Sequence, residues 1–117
     1  VPVDAQQVRD LALSLPRATQ AFVRDREKFR VGQLVFLSFA MDESMIGFAF
    51  PRELREAAVE AEPEKFLLPR PSDLRYRWMV ARLAALDVDE MTELVTEAWA
   101  MCVPKSVARA YLDAATD

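Results

Sequence analysis

Apolar positions change their spacing several times along the 117 residues, and each change marks an element. Val8, Leu11, Ala12 and Leu15 recur at helical spacing and predict a first helix. Asp4 and Gln7 stand as a capping box needs at its start, Val3 and Val8 hold the staple positions, and Pro16 ends it. A polar connector follows. From Phe29 the period shortens: Phe29, Val31 and Leu34 to Phe39 predict strand, interrupted near Gly32 and Gln33. Met41 to Ser44 predicts a hairpin turn, and Met45 to Phe50 the returning strand. Gly47 inside it marks a bulge or a close approach.

Pro51 suits the first turn of a helix. Leu54, Ala57, Ala58 and Ala61 follow at helical spacing, and Pro63 closes that segment. Lys65 to Leu68 predicts a short strand, Pro69 and Pro71 flank a loop, and Tyr76 to Leu83 predicts another strand. The third helix has the fullest signature: Asp87 as cap, Glu90 returning the box, Leu86 and Met91 as staple. Its stripe runs through Met91, Leu94, Val95, Ala98, Trp99 and Cys102. Pro104 breaks that run and opens a last helix with Val107, Ala110, Tyr111 and Ala114 facing inward. The order is α-β-β-β-α-β-β-α-α. Short links between successive strands favour antiparallel pairing. The expected fold is α+β: a twisted antiparallel sheet with helices packed mainly on one face, as a single domain over 1–117.

Composition narrows the chemistry. Hydrophobic residues make up 52% of the chain, enough to build a core at this length. Cys102 is the one cysteine, so an internal disulfide is excluded, in keeping with a reducing compartment. There is no histidine. That removes the commonest general base at neutral pH and any His-dependent triad or mixed Cys/His zinc site. Charges or prolines interrupt every apolar run short of membrane-spanning length. The N-terminus shows no basic-then-apolar signal pattern. A cytoplasmic location, with no cofactor, no metal and no membrane partner, is the expectation.

Charge then complicates the picture. The chain is acidic, with net charge -4. Yet if residues 24 to 30 are extended, Arg24, Arg26, Lys28 and Arg30 point one way. Such a row can simply mark an edge strand protected from aggregation. Between Lys65 and Arg82 stand Lys65, Arg70, Arg75, Arg77 and Arg82 against one acid, Asp73. Acids cluster instead around the second helix (Glu53, Glu56, Glu60, Glu62, Glu64) and the third (Asp87, Asp89, Glu90, Glu93, Glu97). A surface polarised in this way can meet a polyanion with one side. Tyr76 and Trp78 interleave with Arg75 and Arg77, the mixture that base stacking plus phosphate contact uses. The alternative places Trp78 in the core.

Two other functions compete. Leu34, Phe36 and Ala40 alternate with Val35, Leu37 and Phe39, and Ile46, Phe48 and Phe50 share a face. If helices cover one sheet face only, an apolar patch on the other invites a small molecule, a protein partner or a second copy as a homodimer. Catalysis has weaker support. Glu53 with Glu56, and Glu90 with Glu93, are carboxylate pairs at helical spacing, but they stand where acids favour a helix start. Cys102 lies on an apolar stripe, as an inert thiol would. No catalytic residue is assigned.

Taken in order, "VRDLALSLP" at 8–16, "KFRVGQLVF" at 28–36, "PRELREA" at 51–57, "WMVARLAALD" at 78–87 and "AWAMCVPK" at 98–105 resemble the MmcQ/YjbR family of small bacterial proteins. The resemblance implies a frataxin-like α+β fold. It also implies DNA binding, with the sheet rather than a recognition helix meeting the duplex. Phe29 and Arg30 match the family's Phe-Arg pair, Trp78 its Trp, and Pro104 and Lys105 its Pro-Lys step. Phe29 and Trp78 read as fold residues, and Arg30 and Lys105 as functional candidates. The expected interface is Arg24, Arg26, Lys28, Arg30, Arg75, Arg77 and Lys105. "VRDREK" and "PSDLRYR" replace segments that are Gly-rich in the family, so both are expected to be stiffer and more charged.

Overall fold

Asp4 caps the first helix from both directions. Its carboxylate accepts from the Gln7 backbone N–H at 2.8 Å, and the Gln7 side-chain oxygen accepts from the Asp4 N–H at 2.9 Å. The helix, α1, spans Ala5–Ser14 in a computed structural model that describes residues 1–116. Asp117, the end of the expected domain, lies outside the described residues. Val3, Val8, Ala12 and Leu15 are buried, which realises the staple and the stripe.

The segment expected as a polar connector is a strand. β1 (Ala18–Val23) pairs antiparallel with β2 (Arg26–Val31), with Val23 opposite Arg26. Only Arg24 and Asp25 form the turn, and both have positive φ, 53° and 66°. That is the backbone of a two-residue hairpin turn, which ordinarily takes Asn-Gly. β1 is an edge strand, and its Thr19, Gln20, Phe22 and Val23 are exposed, so no buried face imprints alternation on its sequence. Arg24 therefore sits in a turn and not in an extended row with Arg26 and Lys28.

β3 (Leu34–Phe39), β4 (Met45–Ala49), β5 (Phe66–Leu67) and β6 (Trp78–Arg82) complete a six-stranded sheet in the order β1-β2-β3-β4-β6-β5. Every pairing is antiparallel. In the β2–β3 register Phe29 faces Leu37 while Arg30 faces Val35, so Phe36 is an extra residue on β3. The bulge lets Phe36 and Leu37 both enter the core, where each is fully buried. Strict alternation had placed them on opposite faces. The β3–β4 turn forms around Asp42, whose carboxylate accepts from the Ser44 N–H at 3.0 Å.

α3 (Val88–Ala100) and α1 pack against each other, and α3 lies on β3 and β4. They cover the face that carries Phe29, Leu37, Phe48 and Met79, which are aligned across four strands. Asp87 caps α3 by accepting from Glu90 N–H at 2.8 Å, but the Glu90 carboxylate turns to Lys65 rather than closing the box. α4 (Lys105–Thr116) packs through Val107, Ala108 and Tyr111, while Ala110 and Ala114 are exposed, which moves its inner face from the expected stripe. Trp99 anchors the helical layer. Its ring meets Tyr111 edge-on at 5.1 Å and its Nε1 donates to the Pro16 carbonyl at 2.8 Å.

The second helical segment opens with a 3-10 turn at Arg52–Leu54 and continues as α2 (Arg55–Ala61). Its expected apolar stripe is mostly in solvent: Leu54 is 52% exposed, and Ala57 and Ala61 are exposed too. The fully seated residue is Arg55, 8% exposed. Among the described residues no helix is long and apolar enough to cross a membrane.

Candidate nucleic-acid interface

β2 has two unlike faces because its residues alternate. Glu27 and Phe29 are buried on the helix side, whereas Arg26, Lys28 and Arg30 turn to the side that α1 and α3 leave uncovered. Register carries this outer face across the sheet: Lys28 stands opposite Ser38, Ser38 opposite Gly47, and Gly47 opposite Val80. Beyond Lys28 these are small or short side chains. Ile46 and Phe48 are buried in the core, and Phe50 packs against it, so these three side chains are not on the outer face, whose apolar residues are instead Leu34, Val35, Ala49 and Trp78.

The 68–77 connection between β5 and β6 crosses this face. β5 and β6 form one edge of the sheet and β1 and β2 the other, yet Arg70 shares a recess with Val23, Arg24, Arg26 and Lys28. That recess has a volume of about 470 Å³. A second recess of about 490 Å³ adjoins it, since it too is lined by Arg26, Lys28 and Arg70. It continues past Ser38 and Ala49 to Tyr76, Arg77 and Trp78, with Met101 and Cys102 from the end of α3 on its wall. The two form one basic groove between sheet and loop.

Arg55 holds the loop in place. Its Nη1 donates to the carbonyls of Tyr76 and Trp78 at 3.0 and 3.2 Å, and its Nη2 to that of Leu74 at 2.8 Å. Arg52, one helical turn earlier, donates to the Arg75 carbonyl at 3.0 Å. A planar guanidinium with donors in a fixed fork suits this task, because it satisfies several buried carbonyls at once. The fixed loop in turn orients Tyr76, Arg77 and Trp78 toward the groove.

Of the expected interface residues, Arg24, Arg26, Lys28 and Arg77 line the groove. Among the described residues none of these four enters an ion pair, so their charge stays available. Three others lie apart from it. Arg30 shares the outer face of β2 but lines neither recess, and its Nε is buried without a hydrogen-bond partner among the described residues. Arg75 is exposed and packs on the Tyr76 ring at 4.9 Å while donating to its hydroxyl. Lys105 is exposed at the start of α4, outside the groove lining. Arg70 is the groove cation that the sequence analysis left out of the interface. It lies in a loop between two prolines, where no periodicity assigns a direction, and Asp73 pairs with it at 3.5 Å.

Carboxylates are largely committed elsewhere. Glu27 accepts from Arg9 at 2.8 Å and from Gln20 on the helix side of the sheet, and Arg9 also pairs with Glu43. Glu27 and then Glu43 hold the Arg9 pKa above its ordinary value despite partial burial. Lys65 sits between Glu62 and Glu90, and both raise its pKa. Glu90 is thereby diverted from a carboxylate pair with Glu93. Among the described residues no group of His, Cys, Asp and Glu is placed to hold a metal ion. Cys102 feels two opposed influences: burial pushes its thiol pKa up, and the nearby Arg77 guanidinium pulls it down by less.

A model of the YjbR family matches residues 13–101. The fold is also similar to the crystal structure of Deinococcus radiodurans protein DR2400, which carries a DUF419 domain. The TM-score is 0.72 at 17% identity, over 84% of this chain and 77% of that one. No curated protein matches the chain.

Proposed function

We propose that this chain, which belongs to the YjbR family, is a nonenzymatic DNA-binding protein that grips phosphates in the groove between its sheet and its 68–77 loop. One observation carries the reading. Arg26, Lys28 and Arg70 come from opposite edges of the sheet and line both recesses, while Arg24 and Arg77 extend the same cationic line at either end. Phosphate contacts of this kind position a nucleic acid without reading its sequence. α1 and α3 are packed on the other face of the sheet, so neither presents base-reading side chains to the groove.

The acidic net charge does not oppose this reading. None of the α3 acids Asp89, Glu90, Glu93 and Glu97 lines either recess, and a local potential governs encounter at short range. The test is a fluorescence titration with short duplex and single-stranded DNA at low and moderate salt. Binding at low salt that falls with a log–log slope of about −3.5 for the single strand and about −4.5 for the duplex, as five held phosphates give, is expected. Failure of both DNA forms to bind at low salt would overturn the proposal.

A further inference from the structure

We infer that the DNA held here is single-stranded, with one unstacked nucleotide seated in the larger recess against Trp78. This deepens the DNA-binding reading and rests on it. Three features of the groove argue for a strand over a duplex.

The first is shape. The cations are not spread on an open convex surface. Arg26, Lys28 and Arg77 lie in a recess that the 68–77 loop partly roofs, and Arg70 reaches from that loop to the opposite edge of the sheet. A duplex presents its phosphates on the outside of a wide cylinder and keeps its bases stacked within. It can touch the rim of such a recess but cannot enter it. A single strand bends and can place a phosphate and a base inside together.

The second is the pairing of charge with aromatic surface. Trp78 is half-buried and lines the larger recess. Its indole is fixed over Gly47, as an ideal Cβ there would fall within 2.6 Å of Nε1. Tyr76 is exposed on the same wall. A base has an aromatic face of its own and stacks on such side chains whatever its identity, while the phosphate beside it meets Arg26, Lys28 and Arg70. Val35, Ala49 and Met101 add an apolar lining that a bare phosphate would not use but a base would.

The third is continuity. The recesses of about 490 and 470 Å³ share three cations and lie side by side. Each is within the range of about 300–1,000 Å³ typical of ligand sites. Successive spaces joined by shared phosphate ligands suit consecutive nucleotides of one chain better than an isolated mononucleotide.

The experiment uses the whole chain and three probes: a short oligothymidylate, a mixed-sequence duplex of equal length and thymidine monophosphate. Binding is read by anisotropy of labelled DNA, by displacement for the mononucleotide, and by tryptophan emission. The oligothymidylate is expected to bind at least about tenfold tighter than the duplex. It is also expected to quench emission in a way that Trp78→Phe abolishes, since the other tryptophan, Trp99, is fully buried. Trp78→Ala is expected to weaken single-strand binding by about tenfold. Tyr76→Ala, at an exposed position that leaves the fold intact, is expected to weaken it by about threefold. Duplex binding as tight as or tighter than the single strand, or single-strand binding without the Trp78 signal, would overturn the inference and leave the DNA-binding proposal standing. Mononucleotide binding without oligothymidylate binding would overturn the strand. Absence of all binding to either DNA form would sink the functional reading itself.

Discussion

The indole of Trp78 occupies the space that a side chain on Gly47 would need. A Cβ on that glycine would stand 2.6 Å from Nε1 and 2.9 Å from Cε2 and Cζ2. Gly47 lies on the outer face of β4, diagonal to Trp78 across the β4–β6 pair, where a large side chain reaches its neighbour. Glycine here costs strand stability, but its absent side chain makes room for a ring in the groove. Gly47→Ala must push the indole away. A loss of about 1–3 kcal/mol in a denaturant titration is expected, with a shifted Trp78 emission maximum. Unchanged stability and emission would mean that the ring is not seated there.

Arg55 is a different kind of constraint, since it acts on the groove without lining it. Arg55→Leu keeps much of the buried stem but leaves the carbonyls of Leu74, Tyr76 and Trp78 short of their donors. Unmet buried polar groups cost about 1–3 kcal/mol each, less where water reaches them. The expected outcome is a destabilised protein whose 68–77 segment becomes sensitive to limited proteolysis before the sheet does. Cleavage elsewhere first would remove Arg55 as the organiser of that loop.

Much of the architecture was legible in the sequence, for physical reasons that also explain the misses. α1 and α3 have one buried face and capping residues at their starts, so period and punctuation agree. β1 has no such imprint, because an edge strand with both faces partly solvated need not alternate, and its turn residues Arg24 and Asp25 adopt positive φ without the usual glycine. The Phe36 bulge defeats strict alternation by adding one residue to the count. For α2, helical spacing alone suggested an apolar stripe, whereas burial fell on Arg55. A buried guanidinium that serves backbone carbonyls has no acidic partner in the sequence to betray it. The groove shows the same limit. Arg26, Lys28 and Arg77 were visible as cations near aromatics, but Arg70 joins them only because the β5–β6 connection crosses the sheet.

Cys102 reports on the wall of the groove. Burial holds its thiol pKa above the ordinary value, and the Arg77 guanidinium offsets this only in part. The thiolate is the reactive form, so alkylation near neutral pH is expected to be slower than for an unfolded control. Its rate is expected to go on rising with pH beyond the ordinary thiol range before it levels off. Arg77→Gln removes the opposing influence and is expected to move that profile to still higher pH. A profile that Arg77→Gln leaves in place would separate the two side chains.

Location within the groove, rather than positive charge as such, decides which substitutions matter for binding. Arg26→Gln and Lys28→Gln remove cations that line both recesses and have no ion-pair partner among the described residues, so each should lower the salt slope by about one and weaken all DNA sequences alike. Arg75→Gln and Lys105→Gln remove the same formal charge from exposed positions outside the groove lining. At moderate ionic strength the field of such charges fades over about 8–10 Å, so Lys105→Gln should keep the parental slope and lose less than about twofold in affinity, while Arg75→Gln, whose guanidinium packs on the groove-lining Tyr76 ring at 4.9 Å, should fall between the two groups. Arg70→Gln tests the loop's share. It should match Arg26→Gln in slope, and it also frees Asp73, whose carboxylate then faces the phosphates unpaired and deepens the loss. Equal effects from all five variants would replace a defined groove with diffuse attraction over the whole surface.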